Sequence, residues 1–244
     1  MRVALIFSGR LTSCDIHHKN IIDKIVGHHS YDVFLGTHHS YEVFLGTHHN
    51  YEVFLGMSCE KCNDALFHKF IDLYKPKKII ESDDNIQEPL CGWENIKGNE
   101  FTKKTIKNPV RMWYNRHIIF EEVKNYLKGN FDLVVSLRCD VNYFENLNFD
   151  DLGLGLDDNT IYIPGGADYG GYQDKIAFGS PHAMEKYFNL YNNLNNLVSE
   201  KKSMNPEPLL KRHLKQTKVN VKRIEFKHQI NPKISQKQKV KNYY

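Results

Sequence analysis

No stretch of these 244 residues approaches the twenty or so consecutive apolar residues of a membrane-spanning helix. The N-terminal apolar run, Val3-Ala4-Leu5-Ile6-Phe7, is too short for a signal peptide and meets Ser8-Gly9-Arg10 at once. Cysteine is scarce: five residues, odd in number and scattered, argue against a disulfide framework and for a reducing, cytosolic space. Cys59 and Cys62 have C-x-x-C spacing, but the second pair that a zinc site of that kind uses is missing. Also missing is a glycine- and lysine-rich phosphate loop after the first apolar run, which disfavours a nucleotidyltransferase. Acid is nearly absent from the C-terminal end, where residues 211–244 carry eleven Lys or Arg against one acid, Glu225. The formal charge of +4 is therefore a property of that tail, and the rest of the chain is acidic. A basic run can bind nucleic acid, but this one carries no recognition motif and reads as solvated.

What is present is an α/β pattern. Residues 2–7 read as a buried strand, with Gly9 allowing close approach of a ligand to the following turn. Thr12 or Ser13 then caps a helix through Ile16, Ile21, Ile22 and Ile25, so the chain opens as strand, small-residue loop and helix, an arrangement suited to phosphate. Residues 30–56 form a tandem repeat of ten-residue units, Tyr-acid-Val-Phe-Leu closed by a Gly-Thr-His-His turn. The near-identity of the copies suggests local duplication of one strand-turn unit, with part of the segment surplus to the fold. The histidine pairs it multiplies (His38, His39, His48, His49) then need no metal to explain them. A helix from Asn63 ends before Pro76, residues 78–82 read as a strand, 83–108 as a polar loop, and 111–127 as the best amphipathic helix.

That helix leads into the stretch around which the chain is organised, Phe131 to Phe144. It begins as a strand buried on both faces and turns polar at Arg138-Cys139-Asp140. In open α/β sheets the carboxyl ends of strands are where ligands bind. Two readings are open there: a structural ion pair, or a carboxylate for a divalent metal beside a guanidinium for phosphate oxygens. Downstream, 160–164 reads as a strand and Gly165 to Tyr172, with four glycines, as a flexible loop able to close over a ligand. Asp174 then precedes an apolar segment, as a turn acid or as a functional carboxylate. Ser180-Pro181 and Asn205-Pro206 open two further helices, 219–224 alternates like an edge strand, and beyond Pro232 disorder is expected.

Phe7-Ser8-Gly9-Arg10-Leu11, Tyr31-Asp32-Val33-Phe34, Leu73-Tyr74-Lys75-Pro76-Lys77, Met112-Trp113-Tyr114, Arg138-Cys139-Asp140-Val141, Asp174 to Ser180 and Pro206-Glu207-Pro208-Leu209-Leu210 occur in this order. As a set they resemble the small soluble glycosyltransferases encoded by large DNA viruses and some microbes, over residues 2–225. The resemblance implies a GT-A nucleotide-diphospho-sugar transferase fold, a Rossmann-like α/β sandwich with a mostly parallel sheet, in one domain (1–226) followed by a basic, disordered tail (227–244). It implies a nucleotide-diphosphate sugar donor received by Ser8, Gly9, Arg10 and Arg138. A divalent metal, manganese or magnesium, would sit at Asp140, and Asp174, with Asp168 as second choice, would act at the acceptor. The acceptor would be a hydroxyl of a glycan or glycoprotein. The setting would be the cytoplasm, or a host cytoplasm or virion for a viral chain. One departure is plain: Arg138 stands where a regular Asp-x-Asp motif has its first aspartate. The competing reading is a non-catalytic nucleotide-sugar-binding module, or a nucleic-acid binder working through the tail.

Overall fold

The computed structural model describes residues 3–8, 14–26, 31–37, 54–57, 68–69, 71–73, 78–81, 100–138, 140–147, 149, 157–198 and 205–230. In chain order the strands are β1 (Val3–Phe7), β2 (Tyr31–Thr37), β3 (Phe54–Met57), β4 (Lys78–Glu81), β5 (Leu133–Leu137), β6 (Val141–Tyr143), β7 (Thr160–Pro164), β8 (Ile176–Gly179), β9 (Asn220–Ile224) and β10 (His228–Ile230). The principal helices are α1 (Cys14–Ile21, continued by a π-helical turn Ile22–Val26), α2 (Glu100–Leu127), α3 (Pro181–Phe188), α4 (Leu194–Val198) and α5 (Pro206–Gln216). Eight strands form one sheet in the order β3-β4-β2-β1-β5-β8-β7-β9, in which β8 alone runs against its neighbours. The result is a mixed α/β fold with a mostly parallel central sheet, consistent with a Rossmann-like architecture.

The order of connection matters for function. From β1 the chain steps outward to β2 and β4 on one side, then returns through α2 to β5 on the other side of β1. Strand order therefore reverses between β1 and β5, and the crevice at their carboxyl ends is the topological switch point where such sheets bind ligands. β1 and β5 are buried along their whole length, which is why both sequences are unbroken apolar runs with a single small polar residue, Ser136. Their alternate residues Ala4, Ile6 and Val134 join Ile161, Ile163 and Ala177 in one core with Trp113, Phe120 and Val123 of α2, Met184, Tyr187 and Phe188 of α3, and Leu209, Leu210 and Leu214 of α5. Phe120 stacks on Phe188 at 4.8 Å between centroids, and Trp113 meets Tyr187 edge-on at 5.3 Å. Such pairs add about 0.5–1.5 kcal/mol each beyond their buried area.

Three sequence expectations change. Residues 100–108, read as loop, belong to α2, which runs through Pro109. Polar composition alone does not separate a loop from an exposed helical turn, and the Glu and Lys residues here are good helix formers. The first and third repeat copies both become strands, β2 and β3, paired in parallel with Phe34 opposite Phe54 and Gly36 opposite Gly56. Identical positions of the two units lie side by side, and the copy between them falls outside the described residues. Finally, the tail does not begin at 227: His228–Ile230 pairs antiparallel with Val141–Tyr143, and Phe226 stacks on Tyr143 at 5.9 Å. Backbone pairing hid behind a lysine-rich composition. No helix among the described residues is long and apolar enough to cross a membrane.

Candidate active site

The carboxyl edge of the sheet is assembled from backbone outward. Ser8 N–H donates to Leu137 O at 2.9 Å, tying the end of β1 to the end of β5. Because β8 is antiparallel, its first residue Ile176 lies beside Leu137, so the segment preceding β8 arrives at the same edge. There Arg138 N–H donates to Lys175 O at 3.1 Å. The polar bend after β5 is held from the other side by Asn20 of α1, whose amide donates to Tyr143 O and whose oxygen accepts from Tyr143 N–H, both at 2.7 Å. The Tyr143 hydroxyl donates to Arg138 O at 3.2 Å.

Beneath this edge lies a residue that sequence reading missed. Arg116 of α2 is 1% exposed. Its Nε donates to Ser8 Oγ at 2.8 Å, Nη2 to Asp174 O at 2.8 Å and to Asp174 Oδ2 at 3.4 Å, and Nη1 to the Tyr187 hydroxyl at 3.4 Å, while its guanidinium sits over the Trp113 ring. One side chain thus joins β1, the segment before β8, and α3. A signal was present: Arg116 falls on the stripe of Trp113, Phe120, Val123 and Leu127, and a charge on the apolar face of a helix needs a buried partner.

Arg138 and Asp140 stand at the end of β5 as expected, and they face each other. Nε and Nη2 of Arg138 donate to the two Asp140 oxygens at 2.8 and 2.6 Å in a fork. Burial pushes the Asp140 carboxyl up, but the Arg138 fork, the backbone N–H of Asp140 and the nearby His17 outweigh it and hold the group below its ordinary value. The ion-pair reading of this motif is therefore realised. A divalent metal at Asp140 does not fit this donor set, since both oxygens are engaged and a second cation would stand against the guanidinium. Among the described residues no three His, Cys, Asp or Glu side chains gather closely enough to hold an ion.

Asp174 reaches the edge, but its side chain is buried against Arg116. Asp168 lies in the Gly165–Tyr172 loop and accepts from Arg223 Nη2 of β9 at 2.7 and 2.8 Å and from Gln173 N–H at 3.1 Å. That loop, expected to be free to close, is fastened. Besides Asp168, Tyr172 N–H donates to Glu207 O at 3.1 Å, and Gly171 packs so closely on the Glu207 backbone that a Cβ would overlap it. Its left-handed residues include Ala167 and Tyr169 as well as Gly166 and Gly170, so the turn is tightly wound. Gly9 and Arg10 lie outside the described residues, as do the histidine pairs and the Cys59/Cys62 pair.

Two further charges complete the cluster. Glu207, in the first turn of α5, is half-buried; burial and the charge of Asp174 raise its carboxyl above the ordinary value, against its own backbone N–H and the charges of Lys175 and Arg138. Lys175 is 7% exposed, and among the described residues its Nζ has no hydrogen-bond partner. Burial depresses the pKa of its ammonium further than the charges of Asp174, Glu207 and Asp168 restore it.

No protein-family model matches the chain, and no curated relative does. Among solved structures it is similar to a protein of Desulfovibrio desulfuricans G20 provisionally named a nucleotide-diphospho-sugar transferase, with 10% identity, a TM-score of 0.40, and coverage of 92% of this chain and 79% of that one.

Proposed function

We propose that this protein is a glycosyltransferase that moves a sugar from a nucleotide-diphosphate donor to a hydroxyl acceptor, with the donor lying across the switch point between β1 and β5 in a GT-A-type fold. The observation that carries this reading is convergence. Ser8, Arg138 and Asp140, Asp174 and Lys175, and Glu207 come from four of the ordered motifs, and all gather at one end of the sheet. Packing alone does not require six polar or charged residues from distant segments to meet where a sheet binds ligands.

In the reaction the acceptor oxygen forms a bond to the anomeric carbon. The bond from that carbon to the diphosphate oxygen breaks, its electron pair stays on the leaving diphosphate, and the hydroxyl proton passes to a carboxylate. The cationic side of the cluster suits the leaving group, because fixed positive charge aimed at a developing anion is among the strongest catalytic devices. For the proton, two carboxylates compete. Asp174 is the expected base, but it is anchored by Arg116, whereas Glu207 has no arginine partner among the described residues and is held above its ordinary value, closer to working pH. A base variant should lose about 10²- to 10⁴-fold in kcat with an unchanged melting temperature. Glu207→Gln is expected to behave so, and Asp174→Asn to lose stability instead. Release of nucleoside diphosphate from a panel of nucleotide sugars tests the whole reading. Turnover that Asp140→Ala abolishes supports it; salt-sensitive nucleic-acid binding through the tail without turnover contradicts it.

A further inference from the structure

Around the proposed donor site three carboxylates are each held by an arginine. Arg138 is forked onto Asp140, Arg116 holds Asp174, and Arg223 holds Asp168. Each of these three carboxylates is hydrogen-bonded to a guanidinium, so their negative charge is largely answered in place. Lys175 is different. Its Nζ is buried and, among the described residues, donates to no partner and has no carboxylate within ion-pair distance, although Asp174, Glu207 and Asp168 all lie within electrostatic reach.

This placement is built. Lys175 N–H donates to Gln173 Oε1 at 2.7 Å, Lys175 O accepts from Arg138 N–H, and the fully buried Gln173 braces the bend by donating from Nε2 to Ile176 O at 2.9 Å. The backbone is thus pinned on both sides, at the point where β5 and β8 meet. A lysine on a surface turns its ammonium to water along a flexible stem. Here the amine is held out of water with no partner among the described residues, which costs stability and which a methionine of similar length would avoid.

We propose that Lys175 is a binding and catalytic cation for the donor's diphosphate: its ammonium bonds the diphosphate oxygens in the complex and stabilises the charge that collects there as the sugar departs. The ligand class is a nucleoside diphosphate or its sugar ester, and the inference rests on the donor-site reading above. It follows from the chemistry on the page. A diphosphate brings two or more negative charges and many acceptor oxygens, and three donors on one ammonium are free to meet them. Arg138, alongside, is committed to Asp140, and Asp140 is unsuited to a metal. Among the described residues at this edge, Lys175 is then the cation left to balance the diphosphate.

The test uses the full chain with divalent ions removed by EDTA. Wild type, Lys175→Met and Lys175→Arg are titrated calorimetrically with inorganic pyrophosphate, UDP, GDP, ADP and dTDP, and melted without ligand. The expected result is that Lys175→Met binds about tenfold or more weakly, the usual loss for a charged hydrogen bond, that Lys175→Arg recovers most of this, and that ligand-free Lys175→Met melts no lower than wild type. Nucleoside diphosphate binding that is unchanged in Lys175→Met overturns the inference and leaves the transferase reading standing. So does binding that requires manganese and ignores Lys175. Lys175-dependent binding of pyrophosphate with no affinity for any nucleoside diphosphate keeps the ammonium as an anion site and overturns the nucleotide reading. Should Lys175→Met melt well below wild type, the residue is structural and the inference falls.

Discussion

Two buried cations meet the chain at neighbouring residues, Arg116 by bonding Asp174 and Lys175 as the residue after it, yet they are bonded in opposite ways. Arg116 uses Nε, Nη1 and Nη2 to hold Ser8, Tyr187 and Asp174 under the sheet edge. Lys175, on the edge itself, has no hydrogen bond at Nζ among the described residues. Burial of a charge is costly in both places, and in the first the protein supplies the compensation itself. In the second the described residues supply none, and in the proposed reading a ligand does. The satisfied charge ties the end of β1 to the segment before β8, and in the proposed reading the other cation is the one that meets the ligand.

The comparison breaks most visibly at Arg116. Arg116→Met leaves the Asp174 carboxylate buried without its partner, and the expected loss is about 3–5 kcal/mol of unfolding free energy. Urea denaturation measures it, and a loss below about 1 kcal/mol would place Arg116 among dispensable contacts. A smaller effect is expected where the loop meets α5. At Gly171 an added Cβ would lie 1.8 Å from Glu207 O, so Gly171→Ala must push α5 and the 165–172 loop apart. A cost of about 1–3 kcal/mol is expected, with weakened activity, since the same shift moves Glu207. Wild-type stability in Gly171→Ala would show that the loop is not fastened there.

The gentlest test works through pH. The folded-state pKa of Lys175 lies below the ordinary 10.5, so between the two values the unfolded chain binds more protons, and stability rises with pH. At neutral pH the folded protein carries the full burden of the buried ammonium; towards pH 10.5 that burden is relieved. Melting curves of wild type and Lys175→Met should therefore converge as pH rises through the alkaline range. Parallel curves would mean that the amine is already solvated.

The frame was partly legible in the sequence. β1, β5, β7 and β9 appear as apolar or alternating runs, and the abrupt stop at Leu137 puts Arg138 and Asp140 at a strand end. Arg116 and Lys175 carry no local signal of that kind. A lone charge inside an apolar pattern looks like an interruption until its partners, 108 residues away at Ser8 and 58 away at Asp174, are known. The glycine-rich loop misled for the same reason. Four glycines suggest freedom, but the Arg223 that fixes Asp168 comes 55 residues later, beyond any local pattern. Local sequence reports strands and their ends; which charges are satisfied is decided by long-range contacts.

The central claim is that the carboxyl edge between β1 and β5 receives a nucleotide-diphosphate sugar. A thermal-shift screen of the full chain against nucleotide sugars in EDTA tests it directly. A matching donor at one hundred times its dissociation constant should stabilise the protein by about 2.7 kcal/mol, with the shift lost in Lys175→Met. No shift with any nucleotide sugar, with or without manganese, would contradict the account.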